Sequence, residues 1–262
     1  MFTVAANLSM LFKEAVFERR FERAARAGFR AVEMLWPYAL TKEELKKCLD
    51  DNGLKLALFN TRGGDTARGE WGRAAIPGAF EAAKEDIDLA LDYAVFTGCH
   101  SVHVMSAVVR DFTKEASYEA LRKSIDYAAS QAKPQAITIT LEALCPEVKP
   151  NYLFRSQYET LDFVKKIHLE NVKLQFDFYH AQMVDGGITS FLTKNIAHVG
   201  HIQIASVPDR AEFDHGELDG AYCLELLKAL HYEGYVGCEY TPRGRTEGGL
   251  TFLSHYLGET TN

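Results

Sequence analysis

Two hydrophobic periods alternate along this chain. Short runs switch between apolar and polar residues at every position, as strands do, and between them apolar residues return every three or four positions, as on helices. The strand pattern falls near Phe2–Asn7, Ala31–Leu35, Lys55–Asn60, Ser101–Met105, Ala136–Glu142, Val172–Phe178, Val199–Ala205 and Tyr235–Glu239. In the segment 114–132, Tyr118, Leu121, Ile125 and Ala128 form one apolar stripe at helical spacing. Gly28, Gly53, Gly98 and Gly234 each stand just before a strand, where a helix C-cap belongs. Eight strands, about eight helices and no Pro/Ser-rich linker predict one α/β domain over residues 1–262, a (β/α)8 TIM barrel. An open doubly wound sheet is the alternative. No G-x-G-x-x-G opens a helix after the first strand, so a dinucleotide fold has little support.

The strand alternation carries chemistry in the second half of the chain. Ile137, Ile139 and Leu141 alternate with Thr138, Thr140 and Glu142; Val172, Leu174 and Phe176 alternate with Lys173, Gln175 and Asp177. Ile202 and Ile204 flank Gln203, with His201 on its side, and Val236 and Cys238 alternate with Tyr235, Gly237 and Glu239. In isolation this reads as an antiparallel sheet with one wet face. Helix-length connections instead imply parallel strands covered on the outside. The apolar set then faces helices and the polar set faces the barrel interior, where charge is costly unless paired or bound to metal. Glu142, Asp177, Gln203 and Glu239 fall at the C-terminal ends of successive strands, the end where barrel enzymes build their sites. Three carboxylates and an amide oxygen make a hard-oxygen set suited to a divalent metal ion, Mg2+ or Mn2+, with Co2+ also compatible.

Composition narrows the classes. The formal net charge is −7 with Lys and Arg scattered among acids, which argues against a nucleic-acid partner. Five cysteines without a C-x-x-C pair argue against disulfides or a zinc knuckle and for a reducing, cytoplasmic setting. The N-terminus lacks a signal-peptide pattern, and no run reaches the ~18 apolar residues a membrane span needs. The longest connection that is not plainly helical, Thr61 to Gly78, follows the third strand; Trp71 in its middle predicts a packed lid.

The segments FTVAANLSMLF, AVEMLWPY, LALFNTRGGD, RGEWGRAAIPG, SVHVM, LEAL with KPNYLF, DFYHAQMVDG, HIQIASVPDRAE and GCEYTPRG stand in order over almost the whole chain. In these the chain resembles the hydroxypyruvate isomerase family of the xylose-isomerase-like barrels, a superfamily that also holds ketose 3-epimerases and apurinic endonucleases. The resemblance implies a small hydroxy-oxo acid substrate, hydroxypyruvate or 2-dehydrotetronate, and the motifs do not separate the two. It places Glu142, Asp177, Gln203 and Glu239 at the metal-ligand positions, where epimerases usually carry His in place of Gln203. It also matches Glu142 and Glu239 to the catalytic pair that moves protons on opposite faces of the substrate, and His180 and Arg210 to substrate contacts near the metal.

Isomerisation through a cis-enediolate needs two such proton carriers and a positive partner for the substrate carboxylate, for which Arg210 offers a bidentate fork. Asn7, Glu33, Asn60 and His103 also stand at strand ends, with His103 and Glu33 expected at the pocket mouth. Glu70 and Trp71 are expected in a loop over the substrate, and Lys149 after the fifth strand is a second cation able to meet the carboxylate, with a solvated surface lysine as the favoured alternative. The runner-up activity is 3-epimerisation of uncharged ketoses. An apurinic endonuclease would need clustered His ligands and a basic groove, and a silent barrel would need neither glutamate. Homo-oligomerisation is left open.

Overall fold

The computed structural model describes residues 1–258. The elements run β1 (Thr3–Asn7), α1 (Phe17–Arg26), β2 (Ala31–Met34), α2 (Lys42–Asp51), β3 (Lys55–Asn60), α3 (Phe80–Thr97), β4 (Ser101–His103) and α4 (Lys114–Ala132). They continue with β5 (Thr138–Glu142), α5 (Gln157–Ile167), β6 (Val172–Asp177), α6 (Phe178–Val184), α7 (Ile188–Asn195), β7 (Val199–Ile204), α8 (Gly220–Ala229) and β8 (Tyr235–Cys238). The eight strands pair in chain order, all parallel, into the expected closed barrel.

Local chemistry sets the helix ends. Thr41 and Glu44 form a capping box on α2, and Thr113, Ser156 and Asp219 cap α4, α5 and α8 through their side-chain oxygens. Gly28, Gly53 and Gly98 take positive φ behind their helices, as expected. Gly234 does not: α8 ends at Ala229 with Leu230 as its C-cap, and His231 takes the left-handed turn instead, with φ 54°. The helices also depart from one per crossover. Two short helices join β6 to β7, and after β8 comes a 3-10 segment, Thr246–Leu253.

The alternation resolves as the covered-barrel argument requires. Leu141, Leu174, Phe176, Ile202, Ile204 and Val236 are buried in the layer under the helices. On the opposite parity, the Thr140 hydroxyl donates to Gln175 Oε1 at 3.0 Å, and Gln175 Nε2 donates to Gln203 Oε1 at 2.8 Å. Lys173 is only partly buried near the start of its strand, and its Nζ donates to the Ala197 carbonyl at 2.8 Å. Deeper still, Ala5, Ala31 and Ala57 form a small apolar cluster of their own.

The 61–78 loop is packed, as Trp71 predicted. Gly72 N donates to Gly63 O, Ala75 N donates to Ser106 O, and Trp36 and Trp71 meet edge to face at 5.1 Å. Gly72 has φ 92°, and a Cβ there would lie 2.4 Å from the Met105 carbonyl. Gly72→Ala combines a left-handed strain with a backbone clash. It is expected to cost about 1–3 kcal/mol and to lower the thermal midpoint, read by circular dichroism.

Among the described residues no helix is long and apolar enough to cross a membrane. All five cysteines are free, and four are buried.

Candidate active site

Asp177 ends β6 and begins α6. Its Oδ1 accepts from Tyr179 N at 2.8 Å, an N-cap that leaves Oδ2 facing the barrel mouth. The cap also sets the first turn of α6, which brings His180 over the same mouth. Two donors address His180 Nδ1, the Cys145 backbone N–H at 3.1 Å and the Cys145 thiol at 3.2 Å. Nδ1 is therefore the acceptor, and the neutral ring carries its proton on Nε2, 3.6 Å from Asp177 Oδ2. Burial, aided by Arg210, pushes this imidazole well below the usual histidine range, so it stays neutral and presents an N–H.

Arg210 lies in the loop after β7 with φ 50°. Its backbone N donates to Ser206 O at 3.0 Å, and its carbonyl accepts from Thr241 N at 2.9 Å. Nη2 donates to Glu239 Oε1 at 2.7 Å and to Asp177 Oδ2 at 3.3 Å. Nη2 is thus shared by two carboxylates of the protein, while Nε is buried with no hydrogen-bond partner among the described residues.

Glu239 follows β8 directly. Its Oε2 accepts from Asn7 Nδ2 at 3.1 Å and from Gln203 Nε2. Glu33, expected at the mouth, is fully buried one layer beneath it. Glu33 Oε1 accepts from Asn7 Nδ2 at 3.0 Å and Gln203 Nε2 at 2.9 Å, and Oε2 lies 2.6 Å from His201 Nε2. The carboxylate occupies the space a Cβ at position 237 would need, which explains a glycine there. His201 had one sequence signal, its parity with Gln203.

Glu142, at the end of β5, is placed differently. Among the described residues its buried Oε1 has no hydrogen-bond partner, and its Oε2 lies 3.8 Å from His103 Nδ1. His103 also meets Asn60 Oδ1 at 3.2 Å, while its Nε2 is buried without a partner.

Glu142, Glu239, His103, His180 and Arg210 wall a cavity of about 180 Å³ roofed by Trp71 and Lys149, with Asp177, Gln203 and Glu33 outside its lining. Larger grooves of about 560 and 430 Å³ run along the 213–223 segment but lack this convergence. Glu70 does not line the cavity. It is exposed and braces its own loop, accepting from Asp65 N at 2.7 Å and approaching Arg73 at 3.5 Å.

The electrostatics follow from confinement. Burial pushes Glu142 well above the usual carboxylate range, and Glu239 and Asp177 push it further. Burial likewise raises Glu239 to about 8, opposed by Arg210, and raises Asp177, opposed by Arg210 and the Tyr179 N–H. His103 is lowered to about 3, first by burial and then by His201.

Three converging buried carboxylates with a single guanidinium between two of them, and one orphaned carboxylate oxygen, fit a divalent cation. Glu142, Asp177 and His180 each offer one potential ligand atom within 4.8 Å of the others. His180, with Nδ1 already accepting, serves better as a donor to an oxygen than as a ligand. Gln203, expected as the fourth ligand, turns its oxygen to Gln175 and its nitrogen to Glu33 and Glu239; ligation would require the amide to turn over. The acceptor-only carboxylates dictate the present orientation.

Residues 21–256 match the model of the xylose isomerase-like TIM barrel. A 2-oxo-tetronate isomerase from Haemophilus influenzae is 50% identical over 253 residues, covering 96% of this chain and 98% of that protein. The hydroxypyruvate isomerase of Escherichia coli (strain K12) is 35% identical, covering 98% of this chain and 100% of that protein. A crystal structure of "AP endonuclease, family 2" from Brucella melitensis superposes with a TM-score of 0.96 at 40% identity, covering 98% of this chain and 100% of that one. By family match, identity and coverage, the chain belongs to the hydroxypyruvate isomerase family, with its 2-oxo-tetronate isomerases, among the xylose isomerase-like TIM barrels.

Proposed function

We propose that this chain is a metal-assisted isomerase of a small hydroxy-oxo acid. It would interconvert hydroxypyruvate with tartronate semialdehyde, or 2-dehydrotetronate with 3-dehydrotetronate. The observation that carries the reading is the pair Glu142 and Glu239, two buried carboxylates from different strands facing one small cavity. The 50% identity to a 2-oxo-tetronate isomerase supports the substrate class.

One carboxylate removes the proton from the hydroxyl-bearing carbon, and its electron pair forms the C=C bond of a cis-enediolate. The other carboxylate returns a proton to the former carbonyl carbon, and the hydroxyl proton passes between the two oxygens. The roles interchange when the reaction runs backwards. Glu142, Asp177 and Glu239 would hold the divalent cation, Mg2+ or Mn2+, with Gln203 as the fourth position; when bound it supplies charge stabilisation for the substrate oxygens. His180 adds an uncharged Nε2–H donor on the same side. The Trp71 loop keeps water from the enediolate.

Assaying hydroxypyruvate, 2-dehydrotetronate and free ketoses side by side, with and without Mn2+, tests the reading. Turnover of neutral sugars alone would sink it and favour 3-epimerisation. Ligation has its own readout. Because an ion that binds only the folded chain stabilises it by about 2.7 kcal/mol at a hundredfold excess over Kd, Mn2+ is expected to raise the thermal midpoint. Asp177→Asn, which can still cap α6, is expected to abolish that rise.

A further inference from the structure

The cavity is polar in two opposed senses. Its floor holds the carboxylates, and its roof holds a cation, Lys149, for which the sequence favours a solvated surface position over a substrate contact. Lys149 sits in the loop after β5, and that loop is pinned. Lys149 N donates to Cys145 O at 3.1 Å, and Val109 N donates to Asn151 O at 2.9 Å beside the antiparallel bridge of Val108 with Tyr152. The Tyr152 hydroxyl, fully buried, accepts from Ser106 N at 2.8 Å. The ammonium lies 3.7 Å from the centre of the Trp71 ring, and that ring packs on Trp36. Among the described residues Lys149 has no acidic partner, whereas Arg210, the other cation of the cavity wall, holds Glu239 and Asp177.

We infer that Lys149 is the specificity-determining residue that receives the substrate's carboxylate, so that the acid group docks under Trp71 and the hydroxy-oxo end falls between Glu142 and Glu239. The inference rests on the hydroxy-oxo acid reading above and deepens it. An ammonium against an indole face, with no anion near, is a site that gains by accepting one. Burial and the nearby Arg110 shift the Lys149 pKa downward, consistent with a confined charge lacking a counter-ion. The cavity of about 180 Å³ has roughly the volume of six waters, a fit for an acid of three or four carbons. An uncharged ketose would leave the ammonium unmatched, so Lys149 would also select against neutral sugars.

The test compares Lys149→Met, which keeps an apolar stem on Trp71, with Lys149→Arg, which keeps the charge. For hydroxypyruvate and 2-dehydrotetronate, KM in Lys149→Met is expected to rise about 10- to 100-fold, the scale of one lost charge-assisted hydrogen bond, with a smaller fall in kcat. Lys149→Arg is expected to recover most of it. A binding arm needs no turnover. Of the chain's two tryptophans, Trp71 lines the cavity and Trp36 packs on it, so their fluorescence reports binding of D-glycerate, an acid that cannot isomerise. Glycerate affinity is expected to fall by the same factor in Lys149→Met, and the ratio of glycerate to glyceraldehyde affinity is expected to collapse. KM and glycerate affinity within about twofold of the parent would overturn the inference, since a lost charge-assisted bond exceeds that. Equal weakening for glycerate and uncharged glyceraldehyde would overturn it too, as general damage to the roof. A parent enzyme that isomerises no hydroxy-oxo acid would instead refute the functional reading, while the glycerate arm still reports on Lys149.

Discussion

Glu239→Gln and Glu142→Gln are each expected to lower kcat by at least ~100-fold, the scale for removing a general acid or base. Both carboxylates face the cavity, and an amide of the same shape can accept a hydrogen bond but cannot carry the proton between neighbouring carbons. At position 239 the substitution adds a second conflict. Asn7 and Gln203 donate to Glu239 Oε2 and Arg210 donates to Oε1, so an introduced NH2 group would meet a donor in either orientation. The measurement is the loss of substrate C–H signal in D2O, followed by proton NMR, beside the thermal midpoint of each variant. Loss of exchange in a folded variant supports the paired-carboxylate mechanism. Exchange at the parent rate in both variants removes these glutamates from the chemistry.

The second large effect lies one layer deeper and is read as stability. Glu33→Ala is expected to cost about 3–5 kcal/mol, seen as a lower urea midpoint. Glu33 is fully buried, and Asn7, Gln203 and His201 all converge on its two oxygens. Deleting the carboxylate leaves these polar groups without their shared partner in a place water does not reach, at about 1–3 kcal/mol for each unsatisfied group before relaxation. Activity should fall with it, since Asn7 and Gln203 are the side chains that hold Glu239. Gly237→Ala supplies the complementary test, because a Cβ there would sit 2.1 Å from Glu33 Oε2. Alone it is expected to be destabilising; combined with Glu33→Ala, where the obstructing carboxylate is gone, its added cost should shrink. A strictly additive pair would refute the packing explanation for Gly237.

Much of the candidate site was legible because strand parity is strict. Once the connections implied parallel strands, Glu142, Asp177, Gln203 and Glu239 had to point inward, and none could be moved outward without exposing an apolar neighbour. Parity does not give depth. Glu33 and Glu239 both look like mouth residues by position in their strands, yet Glu33 lies beneath, under Asn7 and against the backbone of Gly237. Gln175 and Lys173 share parity with Asp177, but one joins a buried amide chain while the other reaches the Ala197 carbonyl at the far end. Loop residues were less legible still. Glu70 and Trp71 are adjacent, but only Trp71 lines the cavity, because loop paths follow no period.

By itself the sequence determined the barrel, the inward parity of its polar strand residues and the family, since periodicity and motif order are local properties that survive without a fold. Only the tertiary structure decided which polar groups meet. The bond between Glu33 and His201 joins residues 168 positions apart, and Asn7 meets Glu239 across the closure of β1 with β8. Such contacts depend on strand stagger and barrel closure, which assign partners at a distance that no local pattern encodes.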